Sequence, residues 1–260
     1  VRPDEFHQTF NFRFLDAPWE KQALVSAIDE SFQAFDEVKA PSTWVLNNHD
    51  TIRHVSRFGG DYGRTTASDG IGPDNPQPDN ELGLIKAKAA TLFMLGLPGA
   101  SYLYQGEELG LPEHTTIEPK YRQDPTFFRT NGQRVGRDGA RVPLPWVKGD
   151  STSGFSRATA GWLPQPASYA ALSRDQQESE GSTLSLYKQA LAIRKQLSLG
   201  EGSFDWISKT DLLGYQNGST LVIHNFGTSS VELPAGEVLL SSAPLEAAKL
   251  PANASCWVKI

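Results

Sequence analysis

The sequence predicts a parallel α/β arrangement followed by a small antiparallel β module. Apolar segments alternate strand, helix, strand, helix, strand over residues 6–104. Two of those strands stop abruptly in polar side chains, Asn47-Asn48-His49-Asp50 and Gln105-Gly106-Glu107-Glu108. After Gly200 the spacing changes to short β-type alternation.

The first strand is expected at Phe6–Phe14, where apolar and polar residues alternate. Pro18 precedes a helix with Leu24, Ala27, Ile28, Ser31 and Phe35 on one face. A second strand covers Thr43–Asn47, and a loop rich in Gly, Pro, Asp and Asn covers Gly59–Asn80. A helix at Glu81–Leu95 is stopped by Pro98-Gly99, and a third strand follows at Ser101–Tyr104. Leu111–Glu180 carries seven of the 17 prolines and is too long for an ordinary connection, which marks it as functional. A third helix, Ser182–Leu199, places Leu184, Tyr187 and Leu191 on one face. In the tail, Asn217-Gly218 between the strands Leu212–Gln216 and Thr220–Phe226 signals a type I′ hairpin, because both turn positions need positive φ. Further strands are expected at Glu237–Ser241 and Ser255–Ile260, completing a module of about 60 residues.

Composition narrows the function classes. The chain has 260 residues, 38% hydrophobic and 21% charged, enough for one large domain or two smaller ones. A net charge of −6 argues against sequence-independent nucleic-acid binding, which needs a basic face. No apolar run reaches the ~20 residues that span a bilayer; the most apolar stretch, Ala89–Ala100, is short and contains Gly96, Pro98 and Gly99. The lone Cys256 excludes an intrachain disulfide and fits a reducing, cytoplasmic compartment, with secretion the alternative, since many secreted bacterial enzymes also lack disulfides. The five histidines, His7, His49, His54, His114 and His224, show no metal-ligand spacing. Walker A, dinucleotide-glycine and Gly-x-Ser-x-Gly motifs are missing from the sequence. Of the two glycosylation sequons, Asn217-Gly218-Ser219 is better explained as the hairpin turn; the other is Asn253-Ala254-Ser255.

Three segments gather side chains that carry chemistry. Asn47-Asn48-His49-Asp50 ends a strand, the position that faces the active site in a parallel α/β barrel; Asp50 capping a helical turn is the plainer alternative. Leu97–Gly110 reads by itself as a helix stop, a buried strand and a tight turn. Gly136-Arg137-Asp138-Gly139-Ala140-Arg141 places two arginines in a loop, suited to clamping a carboxylate or bonding sugar hydroxyls, or to surface ion pairs.

In this order the segments resemble glycoside hydrolase family 13, the α-amylase superfamily, and within it the α-glucosidase and oligo-1,6-glucosidase branch. TWVLNNHD (43–50) is similar to the family's strand-seven motif and LPGASYLYQGEELGLPE (97–113) to its strand-eight motif. HQTFNFRFLDAPW (7–19) is similar to strand six with its helix. RQDP (122–125) and GRDGARVPLPW (136–146) are similar to segments distinctive of the α-glucosidase branch. The β tail is similar to the family's C-terminal domain.

The resemblance implies the C-terminal part, about strands six to eight, of a (β/α)8 TIM barrel over residues 1–200. A β-sandwich domain is then expected over 201–260. It implies retaining hydrolysis of terminal α-glucosidic bonds in small α-glucosides. Glucosyl transfer or a trehalose synthase-like isomerisation is the alternative within the family; a non-catalytic binding or transporter-partner homologue is the alternative outside enzymes. The family's nucleophilic Asp and general-acid Glu have no counterpart here and are expected in a complementary N-terminal part of the same enzyme, the implied partner. Asp50 matches the third essential carboxylate, bonding the 2-OH and 3-OH of the glucosyl unit. His49 matches the histidine beside it in the same subsite. Arg137 matches the loop arginine reaching the terminal glucose; Arg141 and Arg53 are placed toward the next subsite. Tyr104 and Glu107 are expected to support strand eight. No cofactor is implied, and any structural Ca²⁺ is placed in the N-terminal part. The loop Asp61–Asn80 is expected to overhang the pocket and favour small substrates.

Overall fold

The computed structural model describes residues 4, 6, 8–62 and 69–260. Its helices are α1 (Phe12–Leu15), α2 (Lys21–Asp36), α3 (His54–Phe58), α4 (Asn80–Gly96), α5 (Pro125–Arg129), α6 (Tyr169–Leu172) and α7 (Thr183–Gln196). Its strands are β1 (Thr43–Val45), β2 (Ala100–Tyr102), β3 (Asp205–Lys209), β4 (Leu212–Asn217), β5 (Thr220–Asn225), β6 (Val231–Glu232), β7 (Glu237–Ser241), β8 (Lys249–Leu250) and β9 (Ser255–Lys259). The chain divides into two compact units. One comprises Val1–Leu46, Ile85–Tyr102 and Lys188–Ile260, the other Asn47–Leu84 and Leu103–Tyr187.

In the first unit β1 and β2 pair in parallel, with Trp44 opposite Ser101. Trp44 is fully buried, donates from Nε1 to Pro98 O at 2.6 Å, and meets the rings of Phe14 and Phe32 edge-on. Helix α2 buries the expected stripe of Leu24, Ala27, Ile28, Ser31 and Phe35. Within α4, Ala87, Ala89, Ala90, Leu92, Phe93, Met94 and Leu95 are all buried, as befits the apolar run of its second half; the first half carries Glu81, Lys86 and Lys88. Its last carbonyls have no intrahelical partner; Arg194 donates to Leu95 O and, at 2.7 Å, to Leu97 O beyond it.

The tail forms an antiparallel sheet in the order β3-β4-β5-β9-β7, with β6 and β8 as a separate pair. Period-two alternation divides its side chains. Leu221, Ile223, Cys256 and Val258 join Leu250 and Ala254 in one apolar cluster. Trp257 and Tyr215 instead reach α4, donating to Leu92 O at 2.9 Å and Phe93 O at 2.5 Å. Cys256 is fully buried, and burial pushes its thiol up to about 12.

Three sequence expectations change. The Phe6–Phe14 segment, of which residue 7 lies outside the described residues, forms no strand among those described. Asn11 instead N-caps α1, its Oδ1 accepting from Phe14 N at 2.9 Å while its Nδ2 donates to Thr43 O at 2.9 Å. Leu191 is 42% exposed, because α7 turns the stripe of Leu184, Tyr187 and Ala190 inward instead. The hairpin turn falls one residue later than expected. Asn217 pairs with Thr220, and of the turn residues Gly218 and Ser219 only Gly218 has positive φ, at 58°. Asn217 is itself buried and donates to Gly96 O and Leu199 O.

The second unit has helices and 3-10 turns but no strand among its described residues. Its core gathers Leu109, Leu111, Ile117, Val142, Leu144, Tyr169 and Leu184. Side chains replace ladder bonds along its irregular segment: Tyr169 Oη donates to Pro112 O at 2.6 Å and Gln177 Nε2 to Leu109 O at 2.7 Å. Part of the Asp61–Asn80 loop, residues 63–68, lies outside the described residues.

Candidate active site

The second unit brings together four of the five expected site residues, His49, Asp50, Arg137 and Arg141. An Asx turn begins the site: Asn48 Oδ1 accepts from Asp50 N at 2.8 Å and from Thr51 Oγ1 at 3.2 Å. This turn leaves the side chains of His49 and Asp50 66% and 46% exposed, with His49 Nε2 3.5 Å from Asp50 Oδ2.

The two arginines flank the 3-10 turn Asp138–Ala140. Asp138 is buried, and its Oδ2 accepts from the backbone N–H groups of Gln123 and Asp124 at 2.8 and 3.0 Å. Those bonds tie the arginine loop to the RQDP segment. Asp124 then N-caps α5 through Thr126 N at 2.8 Å, with Pro125 at the first helical position. Gly136, at φ 73°, packs so close that a Cβ would stand 2.8 Å from Asp124 Cβ and Cγ.

Both arginines converge on a single oxygen of Asp50. Arg137 Nη1 donates to Oδ1 at 2.6 Å and Arg141 Nη2 to the same atom at 2.9 Å. Arg141 also donates from Nε to His49 O at 2.8 Å. On its other edge Arg137 meets Asp124, from Nε at 2.6 Å and from its own backbone N at 2.9 Å, both to Oδ2. Burial opposes ionisation of Asp124, but the bonds from Arg137 and Thr126 outweigh it and hold the carboxyl well below the usual carboxylate range. Two carboxylates and two guanidinium groups thus alternate across the site.

Arg53 does not join them. It is fully buried, its guanidinium 5.1 Å from the centre of the Tyr104 ring, with Nη1 donating to Gln105 O and its backbone N to Glu113 Oε2, both at 3.0 Å. Tyr104 Oη donates to Ala140 O at 3.0 Å, beneath the arginine loop. Glu107 and Glu113 are buried in the same layer, and burial raises them to about 8 and about 7. The residues that sequence reading passed over are Asp124 and Asp138. For Asp124 a signal was present: an aspartate directly before proline and two before threonine is a helix N-terminus signature. Among the described residues, no group of three or more His, Cys, Asp or Glu is placed to hold a metal ion.

Comparison with known proteins sets this geometry in context. The model of the alpha-amylase catalytic domain matches residues 4–202. The chain is 31% identical over 217 residues to a probable alpha-glucosidase of Rhizobium meliloti, covering 82% of the chain and 35% of that protein. It is 26% identical to the oligo-1,6-glucosidase of Parageobacillus thermoglucosidasius, covering 85% of the chain and 42% of that protein. Among solved structures, a MutB variant in complex with isomaltulose superposes with a TM-score of 0.69 at 25% identity, over 93% of this chain and 47% of that one. The chain therefore spans between about a third and a half of the length of these relatives.

Proposed function

The chain belongs to the alpha-amylase catalytic-domain family, and on that premise we propose that its second unit is the hydroxyl-binding side of an α-glucoside-hydrolysing site. One observation carries the proposal. Asp50 is fixed through Oδ1 by two arginines, which leaves Oδ2 and the neighbouring His49 ring exposed as a pair. A fixed carboxylate oxygen beside an imidazole, which both accepts and donates when neutral, suits adjacent sugar hydroxyls. In the proposed complex these two groups hold the 2-OH and 3-OH of the terminal glucosyl unit. Their bonds strengthen as the ring gains oxocarbenium character, so they stabilise the transition state more than the substrate. Arg137 and Arg141 set the direction of Asp50 and border the subsite. The similarity to proteins named alpha-glucosidase and oligo-1,6-glucosidase supports this choice of substrate.

Retaining hydrolysis needs an attacking carboxylate and a proton-donating one about 5–5.5 Å apart. Asp124 is buried and capped by Arg137 and Thr126, and Asp50 is already bonded to two guanidinium groups. Neither is set up to attack carbon or deliver a proton. We assign both missing roles to a complementary N-terminal part of the same enzyme.

The experiment measures glucose release from maltose and isomaltose by the chain alone and by the chain combined with that N-terminal part. Activity is expected only in the combination. There Asp50→Asn should lower kcat/KM by about a hundredfold or more, the scale of a lost transition-state hydrogen-bond partner. Full activity of the Asp50→Asn enzyme would sink the proposal.

A further inference from the structure

We propose that Asp124 is a positioning residue that divides Arg137 between two carboxylates and so keeps one oxygen of Asp50 open to a ligand. The proposal rests on the α-glucoside reading of the site. Asp124 is 1% exposed and takes no part in the surface His49–Asp50 pair. It nonetheless engages most of Arg137: backbone N at 2.9 Å, Nε at 2.6 Å and Nη2 at 3.3 Å. Only Nη1 is then turned toward Asp50, and it reaches Oδ1 at 2.6 Å. Arg141 Nη2 takes the same oxygen, and its Nη1 stands 3.8 Å from Asp124 Oδ2.

A guanidinium left with one carboxylate binds it through two parallel N–H groups, one on each oxygen. Asp124 prevents that on Asp50. By occupying the Nε–Nη2 edge it restricts Arg137 to a single bond and leaves Asp50 Oδ2 without an arginine. Without its charge, Arg137 and Arg141 would share one carboxylate, and the freed edge of Arg137 would close over Oδ2. Asp124 thus acts on the ligand through Arg137, never by touching it. Its place as N-cap of α5 fixes its own direction, so the sharing ratio is built into the loop.

The test is Asp124→Asn in the enzyme that carries this chain, read by crystal structure and by kcat and KM on maltose. Asparagine keeps an acceptor for Thr126 N, so the cap survives while the charge is lost. The expected structure has Arg137 bonded to both oxygens of Asp50, and KM rises about tenfold or more, the scale of one charged hydrogen bond. Asp124→Glu, which keeps the charge, should bring Arg137 back to a single bond and KM back toward wild type. It also provides both readouts if the asparagine variant does not fold. An Arg137 that stays in place in Asp124→Asn, or a raised KM in Asp124→Glu with Arg137 unmoved, would overturn the proposal. An Arg137 that moves in an enzyme inactive on every α-glucoside, wild type included, would uphold the positioning role and remove only the glucoside reading.

Discussion

Beneath the candidate site, single buried side chains set opposing responses to pH. Burial lowers His54 to about 3 and His114 to about 4. Below pH ~6.5 the unfolded chain takes up protons that these folded histidines refuse, so their contribution to stability is lost as pH falls. Burial raises Glu113 to about 7 and Glu107 to about 8. The folded chain keeps those protons after the unfolded chain has released them, so stability is lost as pH rises from ~4.5 through those values. Of these four groups only the glutamates titrate above pH 6.5. The urea midpoint should therefore fall between pH 6.5 and 8, and Glu107→Gln should flatten that fall. A midpoint rising over that interval in the wild-type chain would show that the glutamates are not buried in this way.

At the scale of elements, the β4–β5 hairpin offers a separable test of backbone strain. A Cβ on Gly218 meets nothing within 4 Å, yet its φ is 58°. Gly218→Val should then cost about 1–2 kcal/mol from the left-handed backbone alone, and Gly218→Asn distinctly less. Urea midpoints of the two variants check this; equal losses would mean that space is the cause. Elements whose signal is local were legible in the sequence. The periodic stripe of α2, the apolar run of α4 and the β4–β5 alternation each determine one outcome. The Phe10, Phe12, Phe14 alternation misled because Asn11, between two of those rings, is also a helix cap with a tertiary partner in Thr43. Helix α3 has five residues and depends on distant groups, such as Asn80 Oδ1 accepting from Ser56 Oγ at 2.9 Å. The site divides in the same way. The turn at Asn48 and the loop of Arg137 and Arg141 are readable as segments. The burial of Arg53 under Tyr104 and the bond from Arg137 back to Asp124 exist only once the chain has folded.

At the scale of the whole molecule, the first unit has a short parallel sheet in which, among the described residues, β1 and β2 pair with each other alone. Parallel strands are ordinarily flanked and covered. Phe12 is nevertheless 58% exposed and Tyr102 37%. Open edges and exposed rings of this kind promote self-association. The isolated chain should be polydisperse by light scattering, and addition of the proposed N-terminal part should give one monodisperse species of the summed mass. A monodisperse monomer of the isolated chain would remove the physical reason for that partner.

The inner strand β9 has a further consequence. It lies between β5 and β7, and it carries the only thiol of the chain at Cys256. A thiol held near 12 and shut away from solvent does not react while the sheet stays closed. Any alkylation of this protein therefore dates an opening event: the label acts as a stopwatch for how often the five-stranded sheet comes apart, with no engineered reporter.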